Sequence, residues 1–311
     1  MSTFSGYGMG PKGFLVNRPL NDYEQEHRLD VKQPASRQVH YELSLIKLNS
    51  TFVECTDRWY AMRGFMAMGG AGFASVLFFA LFHGIGFLLV EESFDVVLAL
   101  IMCGAALGLW LPTKLFLCDA FTFTHYPIRF NRQNRQVYAF RRDGTVLKAG
   151  WDDLYWTIYK ATHVGGGDVN VMGHVLDKDG VTVTESIALS EVSIGKEGED
   201  KVKTQFEFFR RYMEDGPGPV LDALKPTPLI MLPGIDKKKE SWRFGWERIT
   251  LHENGSVIGM VLYQLIALPI SLFRWIVMRT SKIPQWPQWV EDECRIDPND
   301  IWVRDERHAA R

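Results

Sequence analysis

Histidine, cysteine, paired acids, glycine runs and clustered arginines are the residues of this chain that could do chemistry. The eight histidines stand at positions 27, 40, 83, 125, 163, 174, 252 and 308. None falls in an HExxH metal-binding spacing, and none neighbours a cysteine pair. Cys55, Cys103, Cys118 and Cys294 fit neither a paired-thiol metal site nor a disulfide framework, so they read as reduced and structural. Asp152-Asp153 is a candidate acid pair, yet adjacent strand residues point to opposite faces, so the start of a turn or helix is the better use. The glycines at 165–167 lack the following Lys-Ser/Thr and helix that a phosphate cradle needs. No Walker loop, dinucleotide fingerprint or nucleophile elbow is present in the sequence. The expectation is a protein without catalytic residues, cofactor or metal.

The basic residues are the exception, because their spacing is not random. Seven bases face three acids between positions 129 and 160. Arg129, Arg132, Arg135, Arg141 and Arg142, with Lys114 before them, are the candidate contacts for lipid or a partner. Near a membrane each such charge attracts anionic headgroups with ~1 kcal/mol. The alternative is a solvated strand-and-turn face that also satisfies the orientation rule for membrane proteins. Over the whole chain of 311 residues the charges nearly cancel, 35 basic against 37 acidic, for a net −2. No helix-turn-helix or RNA-binding aromatic motif accompanies the bases, so no nucleic-acid partner is expected.

The elements that must position these residues are segregated by hydropathy. The mean of −0.09 conceals two intensely apolar stretches in a polar chain. Residues 64–90 carry no formal charge, which is long enough to cross a bilayer core of about 20 residues. Residues 94–111 form a shorter second run with Asp95 at its edge. Gly69 and Gly72 in the first run, and Gly104 and Gly108 in the second, are the candidate packing positions of a helical hairpin. Glu91-Glu92-Ser93 forms the connecting turn, without Lys or Arg, whereas Arg58, Arg63, Lys114, Arg129, Arg132 and Arg135 flank the pair. The positive-inside rule then places both flanks in the cytoplasm. His83, the ionisable group within the first run, reads as a neutral, hydrogen-bonded core histidine. Residues 1–13 lack the apolar core of a signal peptide, so the internal segments are expected to direct insertion.

A third apolar segment, 257–277, contains Gln264, Pro269 and Arg274 and has positive charge on both sides. A membrane-surface or re-entrant helix with Trp275 at headgroup level fits it better than a third span or a soluble core helix. Between the hairpin and this segment, residues 119–216 change to short β-like runs. Asp143-Gly144 and the turn 177–180 each separate two such runs, the pattern of β-hairpins. Val202, Phe206, Phe209 and Met213 then recur at helical spacing until Gly216-Pro217. Strands closed by one amphipathic helix suggest a pleckstrin-homology-like (PH-like) β domain. Pro217, Pro219, Pro226 and Pro228 suggest an extended linker after it, and strand-like residues 41–46 are expected to pair with the β domain. The fold class is therefore an α+β membrane protein: a cytoplasmic segment 1–63, a transmembrane hairpin 64–111, a cytoplasmic PH-like domain 119–216, and a C-terminal segment 217–311 with the apolar helix 257–277.

The stretch PIRFNRQNRQVYAFRRDGTVLKAGWDDLYW, from Pro127 to Trp156, resembles an uncharacterised bacterial membrane family whose members carry a domain of unknown function. Members of that family are often encoded beside type VI secretion effectors. The resemblance implies a non-enzymatic inner-membrane protein of bacterial antagonism, an immunity or accessory protein whose partner is a cognate effector or secretion component. The alternative is a membrane-anchored PH-like module that binds anionic lipid or a protein. No catalytic residue is carried over from the family.

Overall fold

The computed structural model describes residues 4–5, 14–41, 43–90, 96–163, 166–227, 229–250 and 257–308. Residues 91–93 between the apolar runs, Gly165 of the glycine run and residues 1–3 and 6–13 lie outside these residues. Three short strands, β1 (Phe4–Ser5), β2 (Phe14–Leu15) and β3 (Arg18–Pro19), precede helix α1 (Asp22–Glu26), then β4 (Leu45–Leu48) and β5 (Phe52–Cys55). The apolar runs follow as α2 (Phe65–Val90), α3 (Val96–Gly108) and α4 (Trp110–Asp119). Next come β6 (Ile128–Asn131), β7 (Gln136–Phe140), β8 (Val146–Gly150), β9 (Tyr155–His163), β10 (Gly166–Leu176), β11 (Thr182–Ala188) and β12 (Ser193–Ile194). Helices α5 (Gly195–Asp215), α6 (Pro217–Ala223), α7 (Trp242–Thr250), α8 (Val257–Thr280) and α9 (Gln288–Glu293) complete the chain. The architecture is α+β, and one of its sheets curls into a half-barrel.

The chain enters each of two compact units more than once. The first comprises Met1–Tyr60, His125–Lys238 and Ile283–Arg311, and the second Ala61–Thr124 and Lys239–Lys282. These boundaries differ from those read off the sequence, because segments far apart in the chain complete each other's sheets and bundles.

In the first unit, β4 to β8 form an antiparallel five-stranded sheet in chain order. The Asp-Gly hairpin pairs Phe140 with Val146, and Gly144 takes φ 86, a conformation costly for any residue with a Cβ. A second sheet has β10 at its centre, paired with β9 on one side and with β11 and β12 on the other, while β3 adds to β11. The turn 177–180 closes its hairpin with Gly180 at φ 69. Both sheets and α5 share one core: Val53, Phe130 and Val137 meet Trp156, Ile158 and Val171, with Val202, Phe206, Phe209 and Met213 from the helix. The helical face read from periodicity is thus the buried one. Pro217 does not begin an extended linker. It occupies the first turn of α6, where its missing N–H costs nothing.

The second unit is helical. Its α2 and the α3–α4 pair run antiparallel. Pro112 has no N–H to offer the carbonyl of Gly108, and the helix is interrupted at Leu109, between α3 and α4. Helices α7 and α8 form a second hairpin, tied by the Tyr263 hydroxyl donating to the carbonyl of Ile249 at 3.0 Å. The face of α8 bearing Val277 packs with Ala67, Ala120, Phe116 and Phe273. The segment 257–277 therefore belongs with the hairpin in space.

Candidate membrane-anchoring surface

An ordinary helix in a water-soluble bundle buries its apolar face. Here the apolar side chains point outward. Phe82 is 76% exposed, Leu89 82% and Leu107 79%. Among the described residues, two helical stretches, Arg58–Phe87 and Val96–Asp119, are long and apolar enough to cross a membrane, with only 11% and 6% of their apolar windows buried. Apolar area of this extent marks a membrane or partner surface. His83 lies on the exposed side of α2 rather than in a core, and its Nδ1 is satisfied within the helix, 3.1 Å from the carbonyl oxygen of Phe79.

Two buried ion pairs hold one end of this helical unit. The Asp119 carboxylate, at the end of α4, accepts the N–H groups of Gly64, Met66 and Ala67 at 3.1–3.2 Å and so caps the first turn of α2. Arg63 lies 3.5 Å from the same carboxylate and donates to the carbonyls of Asp119 and Phe123. Arg274, the charge within the third apolar segment, is fully buried, and its guanidinium donates to both oxygens of Glu240 at 2.5 and 2.9 Å. Its backbone abuts Gly64, whose φ of 92 and lack of a side chain permit the approach.

The packing glycines are distributed differently from the sequence reading. A Cβ on Gly69, Gly72 or Gly104 would meet nothing, because these positions face away from the neighbouring helix. Close approach occurs at Gly70, where a Cβ would lie 2.6 Å from the carbonyl oxygen of Pro112, and at Gly84, 2.9 Å from the Met102 sulfur. Gly108 does face its partner, with a Cβ position 3.4 Å from the Leu77 side chain.

The six candidate bases do not form one patch. Lys114 is an exposed residue of α4, 6.0 Å from the Trp110 ring centre. Arg129 is fully buried and is corrected from surface contact to core pair. Its Nε and Nη2 donate to Glu54 at 3.0 and 2.8 Å, Nη2 reaches Glu291 at 3.2 Å, and its guanidinium lies between the rings of Phe52 and Trp286. Arg135 pairs with Asp152 and Glu214, and Arg141 with Glu185 at 2.7 Å. Arg132 lies against Gly216, and Arg142 is half-buried. Asp152 is thus an ion-pair partner in a turn; its hydrogen bond from Arg135, with help from Lys32, holds the carboxyl down at about 2.

A cluster that spacing could not reveal lies in the β unit. Ser186 on β11 is 2.8 Å from Nδ1 of His174 on β10, whose Nε2 lies 3.3 Å from Glu24 on α1. Burial works to raise the Glu24 carboxyl, but hydrogen bonds from Arg18, His174 and the Asn21 N–H outweigh it and hold the group at about 2. The order of groups is that of a hydrolase triad, but access is missing. Ser186 is 2% exposed, and the cavity it lines measures about 30 Å³, enough for water and not for a substrate. The cluster fastens the N-terminal segment to the second sheet. Cys55, Cys118 and Cys294 are buried and Cys103 is exposed, all four as free thiols. Among the described residues no group of three His, Cys, Asp or Glu side chains could hold a metal ion.

A family model, described as a family of unknown function (DUF6708), matches residues 105–298. The chain belongs to this family. The match begins inside α3 and runs through β6 to β12, α5 and α8, so it includes Asp119, Arg129 and the Arg274–Glu240 pair, while Glu54 and the start of α2 lie before it. No curated protein and no solved structure matches the chain.

Proposed function

We propose that this member of DUF6708 is a non-enzymatic protein of a bacterial inner membrane, anchored by its helical unit and presenting the β unit as a binding module on the cytoplasmic side. The outward-facing apolar side chains of α2 and α3 carry the reading. In water such a surface drives association, whereas in a bilayer it is the solvent-compatible face. The orientation follows from the basic flanks of the hairpin and its acidic turn. A meander of strands, a second sheet and a closing helix, in that order, support a PH-like description of the β unit. The resemblance to proteins encoded beside type VI effectors supports the cellular role: protection against, or handling of, a cognate effector.

Phe82→Arg separates a lipid-facing from a water-facing hairpin. About ten residues from the connecting turn, this side chain stands near mid-bilayer, where an arginine costs about 2.5–3.5 kcal/mol of insertion. The variant is expected to leave the carbonate-resistant membrane fraction. A variant that is more soluble and otherwise unchanged would show that the face meets water. The role itself is read by surface competition between a deletion strain and its parent. Loss only against an attacker with active secretion supports protection. Equal fitness in every pairing would remove the antagonism reading and leave the anchor standing.

A further inference from the structure

The helical unit is longer than a bilayer needs. Helix α2 has 26 residues, about 39 Å at 1.5 Å per residue, against a hydrocarbon thickness of ~30 Å. The hairpin register is set by its close approaches: Gly84 against Leu98 and Met102, Gly108 against Leu77, and Gly70 against Pro112 and Phe116. Counting back ~20 residues from Val90, the hydrocarbon ends near Gly70. On the partner helix that level lies close to Lys114. What remains of α2 and α4, up to the Asp119 cap, stands in the headgroup layer, and α8 packs on this same portion through Val277, Ala67 and Ala120.

The charges at that level are unequal. The three described carboxylates of the unit are all engaged: Asp119 with Arg63 and the start of α2, Glu240 with Arg274, and Glu247 with Arg243. Among the described residues, Lys114, Arg279 and Lys282 have no carboxylate within ion-pair distance. Lys114 and Arg279 sit beside the exposed rings of Trp110 and Trp275, at 6.0 and 5.9 Å from the ring centres. Lys282 is fixed next to exposed Phe121 by backbone hydrogen bonds to Thr122 and Thr124. Phe121 itself occupies a left-handed turn at φ 61, unusual for a bulky residue, and 66% of it is exposed. Cations interleaved with aromatic rings are the pattern of a membrane interface with negative headgroups.

The geometry points to a collar for anionic phospholipid headgroups, formed by Lys114, Arg279 and Lys282 among Trp110, Phe121 and Trp275. It rests on the membrane reading above. It moves the lipid contact from the arginines of the β unit, several of which are paired internally, to the base of the hairpin.

The test uses the full chain reconstituted in vesicles that contain brominated phosphatidylglycerol or brominated phosphatidylcholine, with tryptophan quenching as readout. Wild type is expected to prefer phosphatidylglycerol, with up to about fivefold contributed by each cation, and the preference should shrink as salt is raised. K114Q/R279Q/K282Q is expected to bring the two lipids close to parity, whereas K178Q, in an exposed turn of the β unit, leaves the preference unchanged. These positions carry no buried contact, and circular dichroism verifies that the variants fold. Equal quenching of wild type by both lipids overturns the collar while leaving the anchor intact. A preference that survives in the triple variant also overturns it. Absence of quenching by either lipid removes collar and anchor together.

Discussion

At the scale of single residues, the informative groups are those whose partners lie far away in the chain. Glu24 is buried beneath Arg18 and His174, and its carboxyl is held at about 2 against an ordinary 4.5. Because the folded value is depressed, the unfolded chain takes up the proton first as pH falls. The stabilisation is therefore complete above pH 4.5 and is lost between there and pH 2. Denaturation midpoints followed across this window should fall steeply for the wild type and less steeply for E24Q. An E24Q chain weakened equally at every pH, with the acid limb unchanged, would deny Glu24 this part. The arginines teach the same lesson about reading. A local count sees Arg129 among neighbouring bases, while its counter-charge Glu54 lies 75 residues earlier. Local charge density was legible; pairing was not, because pairing is a property of the folded sheet.

At the scale of elements, the sequence patterns with short-range causes translated directly. The Asp-Gly turn, the helical period of α5 and the apolar hairpin each appear where local chemistry places them. Small residues in the hairpin did not translate so simply. Glycine at any position permits close approach, but only the side that meets the partner uses it: Gly70 faces Pro112 and Phe116, whereas Gly69 faces nothing. Gly70→Val is expected to push the helices apart, since its Cβ meets the backbone of Pro112 and Phe116; overpacking of this kind costs about 1–3 kcal/mol. Gly69→Val meets nothing and should be tolerated. Thermal unfolding of the two variants in detergent, followed by circular dichroism, compares them directly, and equal stabilities would mean that the packing face is misassigned.

At the scale of the whole molecule, the two units are interleaved along the chain. Strands β4 and β5 belong to the same sheet as β6, although the apolar hairpin separates them in sequence. The tail contributes too: Val290 and Cys294 pack with Phe52 and Tyr138, and Glu293 binds Lys148. Strand-like residues 41–46 were legible as a partner of the β domain; the tail, with Trp286, Trp289 and Trp302, reads only as a segment that packs on a surface or interface, because it has no strand pattern to reveal its partners. A fragment of residues 119–216 lacks both contributions. It is expected to show no cooperative unfolding by calorimetry, whereas the full chain in detergent does; a cooperative transition from the fragment would mean that β4, β5 and the tail are dispensable.

The Asp119 cap has a consequence for how the protein is made. The N–H groups that open α2 find their acceptor in a residue synthesised more than fifty positions later. While the ribosome is still making the connecting turn, the first apolar helix has an unfinished beginning, with Arg63 beside it lacking the same carboxylate. The capping hydrogen bonds can form only once Asp119 has emerged, so the start of the first helix is completed by the end of the second. An order of assembly is thus written into one carboxylate: the helical pair, not the first helix alone, is the unit that completes this cap.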